Sequence, residues 1–177
     1  MNSKVVCETG RLTLRRLDDG DAAFILRLVN DADWLRYIGD RNVNSLDDAR
    51  NYIQTGPVEM YARMGYGLYA VVLADGGEPA GLCGLIKRDS LEHADLGFAF
   101  LPEYRGRGYA LEAARATLDY AKNVLGLPRI LAVTTLDNEA SGRLLTKLGF
   151  RLDRSIRLEP ADVELNLYSI AACQPQT

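Results

Sequence analysis

The sequence predicts an α/β (α+β) fold with a mostly antiparallel sheet of about seven strands and about four helices. Two observations carry this prediction. Short segments with period-two alternation or β-branched runs are bounded by Gly/Asp turns. Between them lie amphipathic segments with apolar residues at helical spacing and cap residues at their starts. With 177 residues the chain is long enough for one sizeable core, and no repeat, low-complexity tract or linker divides it. Residues 1–177 are therefore expected to form a single domain, with its core over about 8–171.

Arg11-Leu-Thr-Leu-Arg15 alternates and is the first expected strand. Asp18 to Asp21 supplies turn and cap residues. Ala22, Ile25, Leu26 and Val29 then recur at helical spacing, giving a helix to about Asn30. Trp34 to Asn44, with Gly39, is expected as a loop. Ser45 followed by Asp48 resembles a capping box and opens a second helix, Leu46 to Thr55. Gly67 to Leu73 and Ala80 to Lys87 are strands of a hairpin turned by Asp75-Gly76-Gly77-Glu78. His93 to Leu101 is the fourth strand. His93, Asp95, Gly97 and Ala99 share one of its faces, and Leu96, Phe98 and Phe100 the other. Tyr109 to Leu125 is a strong helix with the stripe Leu111, Ala114, Leu118 and Ala121, ended by Gly126 and Pro128. Ile130 to Thr135 is a β-branched strand. A short helix runs from about Glu139 to Leu148 and closes at Gly149. Phe150 to Arg154 and Val163 to Ile170 complete the order β-α-α-β-β-β-α-β-α-β-β, and a loose tail follows Ile170.

Composition narrows the function classes. Apolar content of 47% and charged content of 25% are ordinary for a globular protein. A net charge of −3 argues against a nucleic-acid binder. No apolar run approaches the roughly 20 residues needed to span a bilayer, and MNSKVVCETG lacks a signal-peptide apolar region. A cytoplasmic location without membrane or nucleic-acid partners is expected. Cys7, Cys83 and Cys173 are odd in number and widely spaced, so neither a disulfide framework nor a metal site is expected.

Arg105-Gly106-Arg107-Gly108-Tyr109-Ala110 stands where an apolar strand ends and the strongest helix begins. A helix start presents unpaired N–H groups and the positive end of the helix dipole, which favour an anion. Two glycines allow close backbone approach, and Arg105 and Arg107 add charge. A Walker loop would need GxxxxGK, which is absent. A dinucleotide fingerprint would need glycine at position 111, which is Leu111. A Gly-rich turn with two solvated arginines is the bland alternative.

The pattern Arg105-x-x-Gly108-x-Ala110 resembles the acyl-CoA pyrophosphate loop of the GCN5-related N-acetyltransferase (GNAT) superfamily. Asn138-Glu-Ala-Ser141-Gly-Arg-Leu-Leu-Thr-Lys-Leu-Gly149-Phe150 resembles the family's Asn-to-Gly-Phe segment. Element order is also similar from about Arg11 to Ile170. Arg11-Leu-Thr-Leu-Arg15, Asn138, Ser141 and Lys147 to Phe150 resemble the RimJ/RimL-like branch of ribosomal-protein N-terminal acetyltransferases, which also includes enzymes acting on small amines. The resemblance implies a GNAT-like sheet whose fourth and fifth predicted strands splay apart for acetyl-CoA, with no metal. It implies direct acetyl transfer to a primary amine in a ternary complex, the acceptor being a protein N-terminus or a small molecule. A non-catalytic acyl-CoA-binding module on the same fold is the alternative. A nucleotide-binding module is a third reading from outside the family, and a monomer or homodimer is expected.

Residue by residue, the resemblance implies that the backbone of Arg105, Gly106, Arg107, Gly108, Tyr109 and Ala110 holds the pyrophosphate. Phe98, Ala99 and Phe100 line the pantetheine arm, with room beside Gly97 and Ala99. Asn138 and Ser141 contact CoA or cap their helix. An α-amino group is roughly 10% neutral at pH 7 and a lysine amine about 0.04%, so a base matters most for lysine-like acceptors. Asp95 is the candidate base, where relatives often carry glutamate. Glu103, Glu112 and His93 are weaker candidates. The tyrosine that relatives carry seven residues after the Asn is Leu145 here, so Ser141 is the candidate proton donor. Trp34, Tyr37 and Tyr66 are candidate acceptor-site residues, and Trp34 to Asn44 and Ser155 to Asp162, with Glu159, are the expected specificity segments.

Overall fold

Leu12 and Leu14 are fully buried while Thr13 and Arg15 are not, and this period of two builds one strand of an eight-stranded sheet. The computed structural model describes residues 4–159 and 161–171. Its strands are β1 (Val5–Glu8), β2 (Leu12–Arg15), β3 (Leu68–Leu73), β4 (Pro79–Ile86), β5 (Asp95–Phe100), β6 (Arg129–Thr135), β7 (Arg151–Leu158) and β8 (Val163–Ala171). Its helices are α1 (Ala22–Val29), α2 (Ala32–Tyr37), α3 (Leu46–Ile53), α4 (Glu59–Met64), α5 (Tyr109–Asn123) and α6 (Glu139–Lys147). The strand order is β1-β2-β3-β4-β5-β6-β8-β7, antiparallel throughout except for the parallel β5–β6 contact. The fold class is as expected, α+β with a mostly antiparallel sheet, but with eight strands instead of about seven and six α-helices instead of about four among the described residues.

The sheet separates two cores. On one face the helices α5 and α6 cover Leu96 and Phe100 of β5 and Ile130 and Ala132 of β6. On the other, α1, α2 and α3 pack Ile25, Trp34 and Ile53 over Ala70, Leu82 and Ala99. Alternation along β5 therefore turns Gly97 and Ala99, and with them Asp95, toward α1–α3, and turns Leu96, Phe98 and Phe100 toward α5.

Several local expectations change. Val5–Glu8 adds an edge strand, held by antiparallel pairing with β2. The segment expected as a loop from Trp34 begins inside α2, whose N-cap Asp31 accepts from the Asp33 N–H. Ser45 caps α3 as expected, accepting from the Asp48 N–H, but the Asp48 carboxylate turns back to the Asn44 N–H. Helix then continues through a π-turn at Gln54–Val58 into α4. His93 lies outside β5, and β7 runs on to Leu158, so residues 155–158 are strand and not loop. Cys7 and Cys83 are free thiols that burial pushes up to about 11 and about 12. Cys173 and the expected tail from residue 172 lie outside the described residues. No helix among the described residues is long and apolar enough to cross a membrane.

Candidate active site

β5 and β6 touch at one register position, Asp95↔Leu131, and separate beyond it. The direction of the free main chain follows from the flanking bonds. The Leu101 N–H donates to Ala80 of β4, whereas the Ala94 carbonyl accepts from Leu131 of β6. Alternation then points the main chain of residues 96, 98 and 100 toward β6 and that of 95, 97 and 99 toward β4. Phe98 and Phe100 thus present main-chain groups to the gap, and the Phe100 carbonyl is taken by Arg105 Nε at 2.9 Å. Ala99 is different from the expectation: its main chain belongs to the β4 ladder, opposite Leu82, and only its side chain borders the gap.

The gap opens a cleft of about 380 Å³ that passes through the sheet. Leu28, Trp34, Tyr37 and Tyr52 line it on the α1–α3 side, and Ala110, Asn138, Ser141 and Leu145 on the α5–α6 side. Asp95 lies at its narrow end, where the two strands meet.

The Arg105–Ala110 turn sits at the other end of β5. Gly106 and Gly108 have φ of +71° and +80°, left-handed values that favour glycine. Gly108 is the N-cap of α5 and makes no side-chain cap. The N–H groups of residues 106–111 find no acceptor among the described residues, the flanking bonds being Arg105 N–H to the Pro102 carbonyl and Glu112 N–H to the Gly108 carbonyl. Such a row of open donors at a helix start fits a pyrophosphate. Glycine is required here by backbone conformation more than by space, since a Cβ at Gly106 would meet nothing within 4 Å.

The arginines divide differently from the expectation. Arg105 does not face outward as a free cation. Its guanidinium bonds Asp33 at 2.7 Å and pairs with Asp31, tying the start of α2 to the turn. Burial raises the Asp31 pKa, but the hydrogen bond and charge of Arg105 outweigh it and bring it below the ordinary carboxylate value. Arg107 is exposed, with no side-chain partner among the described residues. Arg11, placed by its sequence in a strand, supports the turn instead. It donates to the Arg107 carbonyl at 2.9 Å, bonds Glu112 at 2.7 Å and stacks over Tyr109 at 4.6 Å. Glu112 also accepts from Thr9 Oγ1 at 2.6 Å, so it is a structural anchor. Glu103 pairs with Arg27 at the surface. Neither carboxylate lines the cleft.

Asp95 is 1% exposed and accepts from Arg88 Nε at 2.9 Å. Desolvation pushes its pKa up, against the opposing pull of Arg88 and Lys87. It is thus a buried, paired carboxylate and not a solvated strand residue. Asn138 caps α6 by accepting from the Ser141 N–H at 3.1 Å. The Ser141 hydroxyl has no partner among the described residues, and Leu145 is buried at the cleft wall. The missing side chain of Gly97 leaves less room than expected, because Ile86 and Leu68 fill that space.

Of the expected acceptor residues, Trp34 and Tyr37 line the cleft and Tyr66 does not. Tyr66 is packed in the α5-side core. Burial raises its pKa, and the Asp95 charge adds to that. His93, Glu159 and Asp162 are also absent from the cleft, and Asp162 pairs with Arg157 on the β7–β8 hairpin. Arg41, inside the expected specificity segment Trp34 to Asn44, does line the cleft, while sequence reasoning missed Tyr52, Arg88 and Thr134. Arg88 follows β4 and meets Asp95 only through strand pairing, so it carries no local signal. No cluster of potential metal ligands exists among the described residues.

Comparison with known proteins places this geometry. The model of the acetyltransferase (GNAT) domain matches residues 11–151. The chain is 32% identical over 170 residues to a Bacillus subtilis (strain 168) protein named uncharacterized N-acetyltransferase YoaA, covering 93% of this chain and 96% of that one. It is 27% identical over 147 residues to the spermidine N(1)-acetyltransferase of Escherichia coli (strain K12), covering 82% and 76%. Its fold is similar to the crystal structure of ribosomal-protein-S5-alanine acetyltransferase from Vibrio fischeri, with a TM-score of 0.79, 19% identity and coverage of 97% and 98%. The split sheet and the glycine turn are therefore those of an enzyme that belongs to the acetyltransferase (GNAT) domain family, whose members move an acetyl group from acetyl-CoA to an amine.

Proposed function

We propose that the chain acetylates a primary amine, either a protein or peptide N-terminus or a small molecule, with Asp95 as base and Ser141 as proton donor. The observation that carries this reading is the cleft itself, which runs beside β5 from Arg105 and Ala110, at the turn with its open N–H groups, to the buried Asp95. At about 3.3 Å per residue, Asp95 and Phe100 lie about 17 Å apart along the strand. An extended arm anchored at the turn can therefore reach the narrow end, using main-chain groups of Phe98 and Phe100 as an added strand would.

Acetyl-CoA would supply the acyl group, the new C–N bond forming as the C–S bond breaks. Asp95 accepts the proton that the amine loses, directly or through a water. Its aspartate length favours the water route. The Ser141 hydroxyl, free of partners, supplies a proton to the departing sulfur, and Leu145 keeps that wall dry. A thiolate with pKa near 8.5 is a tolerable leaving group, so the contribution of Ser141 is small beside that of Asp95. A polarising N–H for the thioester carbonyl is available from the main chain facing the gap.

Isothermal titration with acetyl-CoA, followed by CoA release over a panel of peptides and small amines, tests the reading. Binding and turnover are expected. Failure to bind at high micromolar ligand, together with no release across the panel, refutes it.

A further inference from the structure

The α1–α3 side of the cleft has an unusual balance of unmet hydrogen-bonding groups. Its carboxylates are all engaged: Asp31 and Asp33 hold Arg105, and Asp95 holds Arg88 Nε. What remains open is mostly donor-only, the hydroxyls of Tyr37 and Tyr52 being the groups on this side that can also accept. Arg88, 36% exposed, uses Nε alone, and its two Nη groups make no hydrogen bond among the described residues. Arg41 lines the cleft with no ion pair or hydrogen bond among them. Trp34 is 5% exposed, and its indole N–H is buried without a partner among the described residues. Arginine and tryptophan side chains donate and cannot accept. A buried unpaired donor carries a free-energy penalty until a ligand satisfies it.

These three groups lie across the sheet from α5 and α6, so the open N–H groups of the glycine turn do not compete with them for one ligand. A polyamine would need free carboxylates here and would face two guanidinium groups. We propose that the acceptor is a small amine that also carries a carboxylate, an α-amino acid being the simplest case. The inference rests on the acetyl-transfer reading above and narrows its acceptor. Its amine lies at Asp95 and its carboxylate at the Arg88 Nη groups, matching the 2.9 Å ion pair with a zwitterion of opposite polarity. Arg41 is a specificity residue at the mouth, and Tyr37, Tyr52 and Leu28 offer an apolar wall to the side chain.

The test compares free α-amino acids with apolar side chains, their methyl esters and amides, spermidine and an alanyl peptide, by CoA release with the intact chain. Titration with acetyl-CoA is run beside it, so loss of CoA binding would mark failure of the transferase reading and not of this one. The free acids are expected to exceed their esters and amides in kcat/KM by roughly tenfold to hundredfold, the usual span for one charge-assisted contact. Arg41→Ala is expected to raise KM for the acids more than for the esters, with acetyl-CoA affinity little changed. Arg88→Gln is expected to raise KM for the acids and also shift the pH–rate profile, because it touches Asp95. Equal turnover of acids and esters, preference for spermidine or the peptide, or weakened acetyl-CoA binding in Arg41→Ala would overturn the proposal, as would absence of turnover with every amino acid tested.

Discussion

At the residue scale the proposed chemistry concentrates on Asp95, and two opposite consequences follow from its burial. As a base it must be ionised, so turnover should rise with pH through its elevated pKa. Asp95→Asn should lower kcat by about 10²- to 10⁴-fold, with acetyl-CoA affinity nearly intact, and should remove that limb of the pH–rate profile. A profile unchanged in shape would remove Asp95 from the role. Stability runs the other way. A carboxylate whose folded pKa lies above its unfolded value contributes fully below the ordinary carboxylate range, and that contribution is lost as pH rises through the raised value. Asparagine can still accept from Arg88 Nε without a buried charge. The melting temperature of Asp95→Asn relative to the parent should therefore climb as pH rises above the ordinary carboxylate range. A difference that stays flat or falls over that rise contradicts the assigned direction. A site that is less stable for being functional is the expected signature of a buried base.

At the element scale the glycine turn and α2 act as one unit, and Arg105 is the reason. The sequence placed Arg105 beside a phosphate, but its guanidinium spans Asp31, Asp33 and the Phe100 carbonyl. Arg105→Ala should thus loosen α2 against the turn and raise the acceptor KM at least as much as the CoA dissociation constant. A loss confined to CoA affinity would restore the phosphate role. Gly108→Ala forces an alanine to φ near +80° and brings its Cβ to 3.3 Å from Arg11 Nη2. The left-handed strain of about 1–2 kcal/mol should weaken acetyl-CoA binding by about tenfold, readable by titration, with acceptor KM little changed. This scale also shows what was legible in the sequence. α5 and α6, with their caps, and the hairpin of β3 and β4 were readable because their signals are local: glycine turns, Asn138, and apolar stripes at helical spacing. β1 was missed because four residues of VVCE become a strand only by pairing with β2. The six-residue helix α2 was missed for a similar reason, its hold being the Arg105 ion cluster seventy residues away. Asp95 was legible as a position and not as an environment. Arg41 lay within the expected specificity segment Trp34 to Asn44 without being singled out, whereas Arg88 and Thr134 were invisible because the cleft is assembled across strands that are distant in sequence.

At the scale of the whole molecule, the sheet is two pieces, β1–β5 and β6–β8, in register at Asp95↔Leu131 and open beyond it. The α5-side core crosses beneath the gap and keeps the pieces together, so the opening is held as a cleft and does not close into a ladder. A ligand arm filling that gap supplies the missing pairing on the Phe98 and Phe100 side, and it binds the folded state alone. At a hundredfold excess over Kd such a ligand stabilises by about 2.7 kcal/mol, which for a chain of this size is a rise of roughly 5–10 °C in melting temperature. The location of the effect is more telling than its size. Amide exchange at Phe98, Phe100 and residues 106–111 should slow with acetyl-CoA well beyond the general stabilisation, because those N–H groups gain partners they lack in the free protein. The β4-facing amides of Gly97 and Ala99 already have partners and should change only with the molecule as a whole. Equal added protection along β5, without alternation, would mean that the arm does not lie in the gap as an added strand.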